Sequence, residues 1–550
     1  MTHEVFNQPP LLVDYDLFGE DAALVEGVEC FDAAWAREPL HELGSLAGTA
    51  EAIRWGEEAN ANPPLLRTHD RFGHRIDEVE FHPSWHRLMD TAVTYGLHAS
   101  PWREPRPGAH VARAAAFAVW SQVEAGHGCP ISMTHAVLPA LRVQPSLAEI
   151  WEPRFTSLNY DPGLRAPQEK EGALCGMALT EKQGGSDVRA NTTAARPAQR
   201  GGPGAEYRLT GHKWFCSAPM CDAFLVLAQA PGGLACFLLP RVLPDGTLNA
   251  FRIQRLKDKM GNRSNASSEV EFEDAAAWLI GEEGRGVQTI IEMINHTRLD
   301  CAIGSTAIMR QAVAQAAHHA AHRSAFGKRL IEQPLMRDVL ADLALESEAA
   351  TWLVLRLAAA CDRAAGDVRE AAFKRLATAV GKYWICKRAP GHVYEALECL
   401  GGNGYVEESI LPRLYREAPV NAVWEGSGNV IALDVLRALS REPQTLEAFL
   451  AELREASGAN SCLDAAITHL ERELTNRHDP QTRARRIVEQ MALTLQASLL
   501  VRFAPAAVAD AFCASRLGGD WGHTYGTLPH GLGYETILER ARPRVSSRPS

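Results

Sequence analysis

Trp424-Glu425-Gly426-Ser427-Gly428-Asn429 sets a single carboxylate between an indole and two glycines. A Glu beside a large aromatic ring can lose hydration, which raises its pKa toward that of a working base. The glycines leave the backbone free to aim it. Upstream, Leu400 to Tyr405 reads LGGNGY and Arg323 to Gly327 reads RSAFG. Between these motifs the apolar residues recur at helical spacing. Leu335, Val339, Leu340 and Leu343 fall at intervals of four, one and three, which is one face of a helix. Long helical stretches with short turns from 285 to about Ser440 predict a four-helix bundle.

Further upstream the period changes. Tyr207 and Leu209 alternate with Glu206, Arg208 and Thr210, and Val270 and Phe272 alternate with Glu269, Glu271 and Glu273. Period two marks strands with one wet face, and the apolar runs Phe224 to Ala228 and Cys236 to Leu239 fit buried strands. The stretch 176–284 therefore reads as a β domain. It carries LTEKQGGSD from Leu179 to Asp187 and GHKWFCS from Gly211 to Ser217. Residues 1–175, broken by Pro63-Pro64, Pro101, Pro105 and Pro107, read as a helical N-terminal domain. Residues 441–550 read as a helical extension, with amphipathic stretches at Leu446 to Leu453 and Ile487 to Val501. It loosens at Gly518-Gly519, Gly522 and Gly526 before an Arg/Ser/Pro tail that reads as disordered.

With 46% hydrophobic and 22% charged residues over 550 positions, the composition is that of a soluble globular protein of several domains. No apolar run approaches the ~20 residues of a spanning helix. The opening MTHEVFNQPPLLVDYDLF lacks the basic stretch of a secretory leader. Twelve scattered cysteines without a CxxC pair read as reduced thiols in a cytoplasmic protein. The net charge of −11 excludes a chain that is basic throughout. The acidic excess lies before Arg441, and beyond it Arg balances Asp and Glu with no Lys at all. Arg477, Arg483, Arg485 and Arg486 form its densest basic cluster, and Arg540, Arg542, Arg544 and Arg548 a second one. Arg suits phosphate recognition, although Glu471, Glu473, Asp479 and Glu489 stand near as local partners. His318 and His322 share metal-like i, i+4 spacing, but no third ligand is evident and no metal is expected.

The five motifs, in this order, resemble the acyl-CoA dehydrogenase family and, more narrowly, its AidB branch, isovaleryl-CoA dehydrogenase-like flavoproteins linked to the adaptive response to alkylation. The resemblance implies a mainly α fold with a central β-barrel-like domain, a helical bundle and a C-terminal helical extension. It implies FAD, with Met177, Leu179, Thr180, Gly185, Ser186, Phe215, Cys216, Ser217, Trp424, Ser427 and Asn429 as contacts. Thr180 would lie by the pyrimidine edge, Ser186 by the pyrophosphate and Ser217 by N5. Arg323 and Phe326 would meet the FAD of a neighbouring subunit, which makes the protein an oligomer, a homotetramer by analogy. Two departures bear on that adenosine end. Pro334 stands where the family has Gln, with Gln333 one place early, and Glu398 replaces another Gln. Lys182-Gln183 replaces the usual Pro-Ala or Pro-Gly, as in the AidB branch.

The resemblance also implies an acyl-CoA substrate, desaturated by α-proton abstraction at Glu425 and β-hydride transfer to the flavin. Some relatives carry the base on the first bundle helix, where this chain has Asn295-His296-Thr297-Arg298. Thr297 takes that place, so Glu425 is the only carboxylate at the two base positions. The alternative is a DNA-binding flavoprotein of the alkylation-damage response with weak or vestigial dehydrogenase activity, its Arg cluster on duplex DNA.

Overall fold

The computed structural model describes residues 2–476 and 478–544. The chain divides into two units. One gathers residues 1–50, 106–123 and 298–550, the other 51–105 and 124–297.

In the second unit β1 (Leu65–His69) and β2 (Arg75–Glu80) form an antiparallel hairpin. The sequence reading missed it, because polar side chains fall on both faces of each strand and break the alternation. Seven further strands follow: β3 (Cys175–Ala178), β4 (Ala194–Pro197), β5 (Glu206–Ser217), β6 (Ala223–Ala230), β7 (Gly233–Pro240), β8 (Phe251–Leu256) and β9 (Ser267–Ile280). The pairings β6–β4, β4–β5, β5–β9, β9–β7 and β7–β6 close into a ring, with β3 beside β6 and β8 beside β9. Closure removes the open edges that a flat sheet would present. Tyr207, Leu209, Val270 and Phe272 all turn inward, as their alternation predicts. Phe224, Phe237 and Phe251 are fully buried with them, and the rings of Phe224 and Phe251 stack at 5.0 Å. Each such side chain contributes ~1.5–3 kcal/mol of burial.

The first unit is helical. Its long helices are Gly286–His322 (counted here from Arg298), Pro334–Arg363, Val368–Cys399 and Gly428–Arg441. Leu340 and Leu343 are buried as their spacing predicts, but Leu335 is 82% exposed. It lies in the first turn of Pro334–Arg363, where periodicity persists before the helix enters the core. Helices Pro443–Arg454, Ser461–Thr475, Pro480–Phe503 and Ala506–Phe512 follow, and Tyr534–Ala541 forms within the stretch read as loosened and tail-like.

Buried arginines fasten this last segment to the bundle. Arg356 pairs with Glu370 and Glu452, and Arg516 with Asp342 and Glu346. Arg540 takes Glu26 and Glu348 together. Each acid is therefore compensated inside the fold, the condition for a buried charge to be tolerated. No helix among the described residues is long and apolar enough to cross a membrane.

Candidate functional site

In the barrel unit the chain leaves β3 at Ala178 and makes a tight turn over Glu181 to Gly184, where the Gly184 N–H donates to the Glu181 carbonyl. Gly184 has φ +123°, a conformation open to glycine. Thr180 bridges Phe215 of β5, and the Trp214 N–H donates to the Thr180 carbonyl at 2.8 Å. The two barrel motifs, about thirty residues apart in sequence, thus lie side by side. A Cβ on Gly185 would stand 2.3 Å from the Thr180 hydroxyl oxygen, so only glycine fits there.

Glu181, between these groups, is fully buried. It accepts from Lys213 Nζ at 2.9 Å, from the Thr192 and Thr193 N–H groups, from the Thr192 hydroxyl and from Gln183. Burial alone would raise its pKa, but those hydrogen bonds and the Lys213 charge outweigh it and hold the carboxylate ionised. Glu181 is a structural anchor that fixes the turn. The sequence carries no sign of this, since Lys213 lies on another strand.

Around that anchor, Thr180, Leu179, Met177 and Ser217 are half-buried, while Gly185 and Ser186 are exposed on the turn. Phe215 is 51% exposed, a large ring facing outward beside the Lys257 ammonium at 4.7 Å. Cys216 is fully buried, and burial pushes its thiol to about 12, so it can offer a ligand only backbone groups. An outward aromatic ring, two accessible hydroxyls and a glycine turn with open space fit the edge and phosphates of a flavin.

In the helical unit Glu425 has φ +57° and Gly426 φ +105°. Two cations grip the carbonyls of this turn with three hydrogen bonds. Arg298 Nε donates to the Glu425 carbonyl at 3.1 Å, and Lys382 Nζ to those of Trp424 at 2.8 Å and Gly426 at 2.5 Å. Both cations are buried, and Arg298 is itself held by Asp434 at 2.7 Å, which also takes Arg375 at 3.1 Å. Burial raises the Asp434 pKa, yet the two guanidiniums outweigh it and leave it lowered. The Trp424 indole donates to Asn421. Ser427, half-buried, caps the helix Gly428–Arg441 without a side-chain hydrogen bond, and Asn429 is exposed. The hydroxyl of Thr297 donates to the Ile294 carbonyl of its own helix.

RSAFG forms a two-residue hairpin. β10 (Ser324–Ala325) pairs with β11 (Lys328–Arg329), and Phe326 and Gly327 turn at φ +53° and +80°. Both positive angles are those of a type I′ turn. Phe326 at its tip is 99% exposed. The Arg323 guanidinium donates to the Asn7 carbonyl, and the Asn7 side chain exchanges two hydrogen bonds with Ser324. Gln333 donates to the Ala325 carbonyl, so its early position serves the hairpin. Glu398 is exposed to solvent.

The basic cluster separates. Arg477 lies outside the described residues, as does Arg548 of the tail. Arg483 is used internally, by Glu473 at 2.9 Å and the carbonyls of Asn476 and His478. Arg485 and Arg486 are exposed. Arg540 is bound within the fold as described above. His318 and His322 each meet a backbone carbonyl, of Pro10 and His318 respectively.

The chain matches three family models: the adaptive response protein AidB N-terminal domain over residues 7–162, the acyl-CoA dehydrogenase middle domain over 176–275 and the acyl-CoA dehydrogenase C-terminal domain over 284–440. The AidB protein of Escherichia coli (strain K12) is 48% identical over 514 residues, covering 93% of this chain and 94% of its own length. Among solved structures, Caenorhabditis elegans ACDH-11 in complex with C11-CoA superposes with a TM-score of 0.84 at 26% identity, covering 94% of this chain and 93% of that one. The apo form of Bd2924 superposes at 0.83 and 28%, covering 91% and 100%.

Proposed function

The chain belongs to the acyl-CoA dehydrogenase family, in its AidB branch, and from that premise we propose that it is an FAD-dependent oxidoreductase desaturating an acyl-CoA thioester. FAD, when bound, supplies the hydride acceptor for the substrate β-carbon. Glu425 removes the α-proton. The observation that carries this reading is the grip of Arg298 and Lys382 on the backbone of Trp424 to Gly426. A non-glycine residue in the left-handed region costs ~1–2 kcal/mol, and such strain concentrates where a side chain must be aimed. Thr180 and Ser217 hold the cofactor edge, Phe215 packs on its ring, and Met177, Leu179 and the Cys216 backbone line it. Ser186 would meet its pyrophosphate, with Gly185 beside it in the same turn. In the helical unit, taken by itself, Trp424, Ser427 and Asn429 would be cofactor contacts.

The rest of the reading follows the same premise. The hairpin tip at Phe326, with Arg323 behind it, fits the adenosine of a cofactor held by a second copy, in a homotetramer. The chain divides functionally at 1–175, 176–284, 285–440 and 441–550. Its cysteines, all free among the described residues, fit a reducing cytoplasm. The test is the visible spectrum of the purified protein, followed by anaerobic titration with acyl-CoAs. Flavin absorbance that bleaches with an acyl-CoA is expected. A protein that gains no flavin absorbance when incubated with FAD would overturn the reading.

A second function rests on the exposed Arg485 and Arg486, which leave two guanidiniums on one helix available to duplex DNA phosphates. In this reading the protein is a flavoprotein of the alkylation-damage response and its dehydrogenase activity is weak. Each phosphate contact contributes a slope of about −0.9 to the salt dependence of affinity. Replacing both arginines with Gln should flatten that slope by about 1.8 without altering the flavin spectrum. Equal slopes in variant and wild type would leave the dehydrogenase reading alone.

A further inference from the structure

The segment 257–266 between β8 and β9 carries a buried polar arrangement that neither the motifs nor the proposed chemistry uses. Lys259 Nζ donates to the Asn265 carbonyl and, at 3.1 Å, to the Ser267 hydroxyl. Ser267 opens β9 and pairs in register with Ser217, the last residue of β5. The Ser217 and Ser267 hydroxyl oxygens stand 3.5 Å apart, the outer limit of hydrogen-bond contact. The ammonium is thus one hydroxyl away from Ser217.

The segment is tied down from below. The Ser264 hydroxyl donates to Glu124 at 2.6 Å, and the same carboxylate accepts the Gly126 and His127 N–H groups and contacts the His127 ring. A Cβ on Gly126 would collide with the Ser264 hydroxyl, so the two segments pack as closely as backbone allows. Asn265 is 1% exposed, yet neither end of its side-chain amide has a partner, and the same holds for the Asn262 side-chain oxygen. Each buried polar group without a protein partner calls for its own explanation. Burial also lowers the Lys259 pKa to about 8, partly offset by Cys129 and Glu124.

We propose that Lys259 is a positioning residue for the flavin site, acting through Ser267 on the Ser217 hydroxyl. The inference rests on the flavin reading given above. Its logic is directional. An ammonium has three donors and no acceptor, so it can only donate to Ser267. The Ser267 proton is then left to point at Ser217, and the Ser217 proton points outward, as a donor to an acceptor nitrogen on the cofactor edge. Aligned hydroxyls of this kind polarise one another. With a flavin held at Ser217, the same ammonium would add one positive charge nearby, which would favour the reduced cofactor, the form that carries the extra electron density. No bond is made or broken by Lys259 itself.

The test is the two-electron reduction potential of the FAD-loaded protein in wild type, K259M, K259R and S267A. K259M should lower the potential by ~30 mV, which is a tenfold change in the reduction equilibrium. K259R should recover most of it, and S267A should shift it in the same direction as K259M. A K259M potential equal to wild type, or K259R as low as K259M, would overturn the proposal. Should K259M fail to fold, S267A decides: an unchanged potential there defeats the relay. A wild-type protein that takes up no FAD would instead remove the flavin reading on which all of this stands.

Discussion

Glu425 spends backbone strain that only its surroundings can hold, so the residues gripping it are as informative as the carboxylate. Replacing it with Gln keeps size and hydrogen bonding and removes the base. FAD should stay bound while the anaerobic bleaching rate with acyl-CoA falls ~10²–10⁴-fold. Wild-type bleaching in that variant would reassign the base. Lys382→Met tests the grip. It deletes two charge-assisted bonds to the turn, so turnover should fall while the flavin spectrum and FAD affinity stay unchanged. If turnover holds, the turn keeps its shape without Lys382.

At the scale of elements, the turn and strand of the barrel depend on one buried pair. Lys213→Met leaves the Glu181 carboxylate without its cation, a change that typically costs ~3–5 kcal/mol. The urea midpoint should therefore drop sharply, and the double variant with Glu181→Gln should regain part of the loss. Additive losses would show that the two side chains do not act together. This pair also marks where sequence reading stops. The alternation of β5 and β9 was legible because one face of each strand is wet, and the motif order was legible because each motif is local. Glu181 and Lys213 are brought together where Thr180 bridges Phe215, and nothing local in either segment encodes that meeting. Arg298 was visible in Asn295-His296-Thr297-Arg298, but its hold on the Glu425 carbonyl spans 127 positions. The β1–β2 hairpin stayed hidden because its exposed strands bear polar side chains on both faces, and the exposure of Leu335 because periodicity does not show where a helix leaves the core.

The whole molecule should respond to acid through its buried carboxylates. Burial would raise the pKa of Glu346, but Arg388 and Arg516 outweigh it and hold it at about 2. A folded-state value below the ordinary 4.5 contributes stability above about pH 4.5 that is lost as pH falls toward 2. Melting temperature should therefore decline across that window. A Glu346→Gln variant, less stable than wild type at neutral pH, should converge with it at the acid end. A gap that stays constant with pH would remove Glu346 from the account.

The helical unit is stitched from three separated lengths of chain, 1–50, 106–123 and 298–550, and Arg540 reaches back to Glu26. On a ribosome making roughly 5–20 residues per second, the first fifty residues must wait on the order of tens of seconds for these partners. The barrel unit, complete in sequence by residue 297, can close during that interval. Synthesis therefore reverses the usual order: residues 1–50 are made before the barrel unit and find their place after it. Until then its apolar helix faces are available to chaperones, and slow translation should increase aggregation of this half of the molecule before the other.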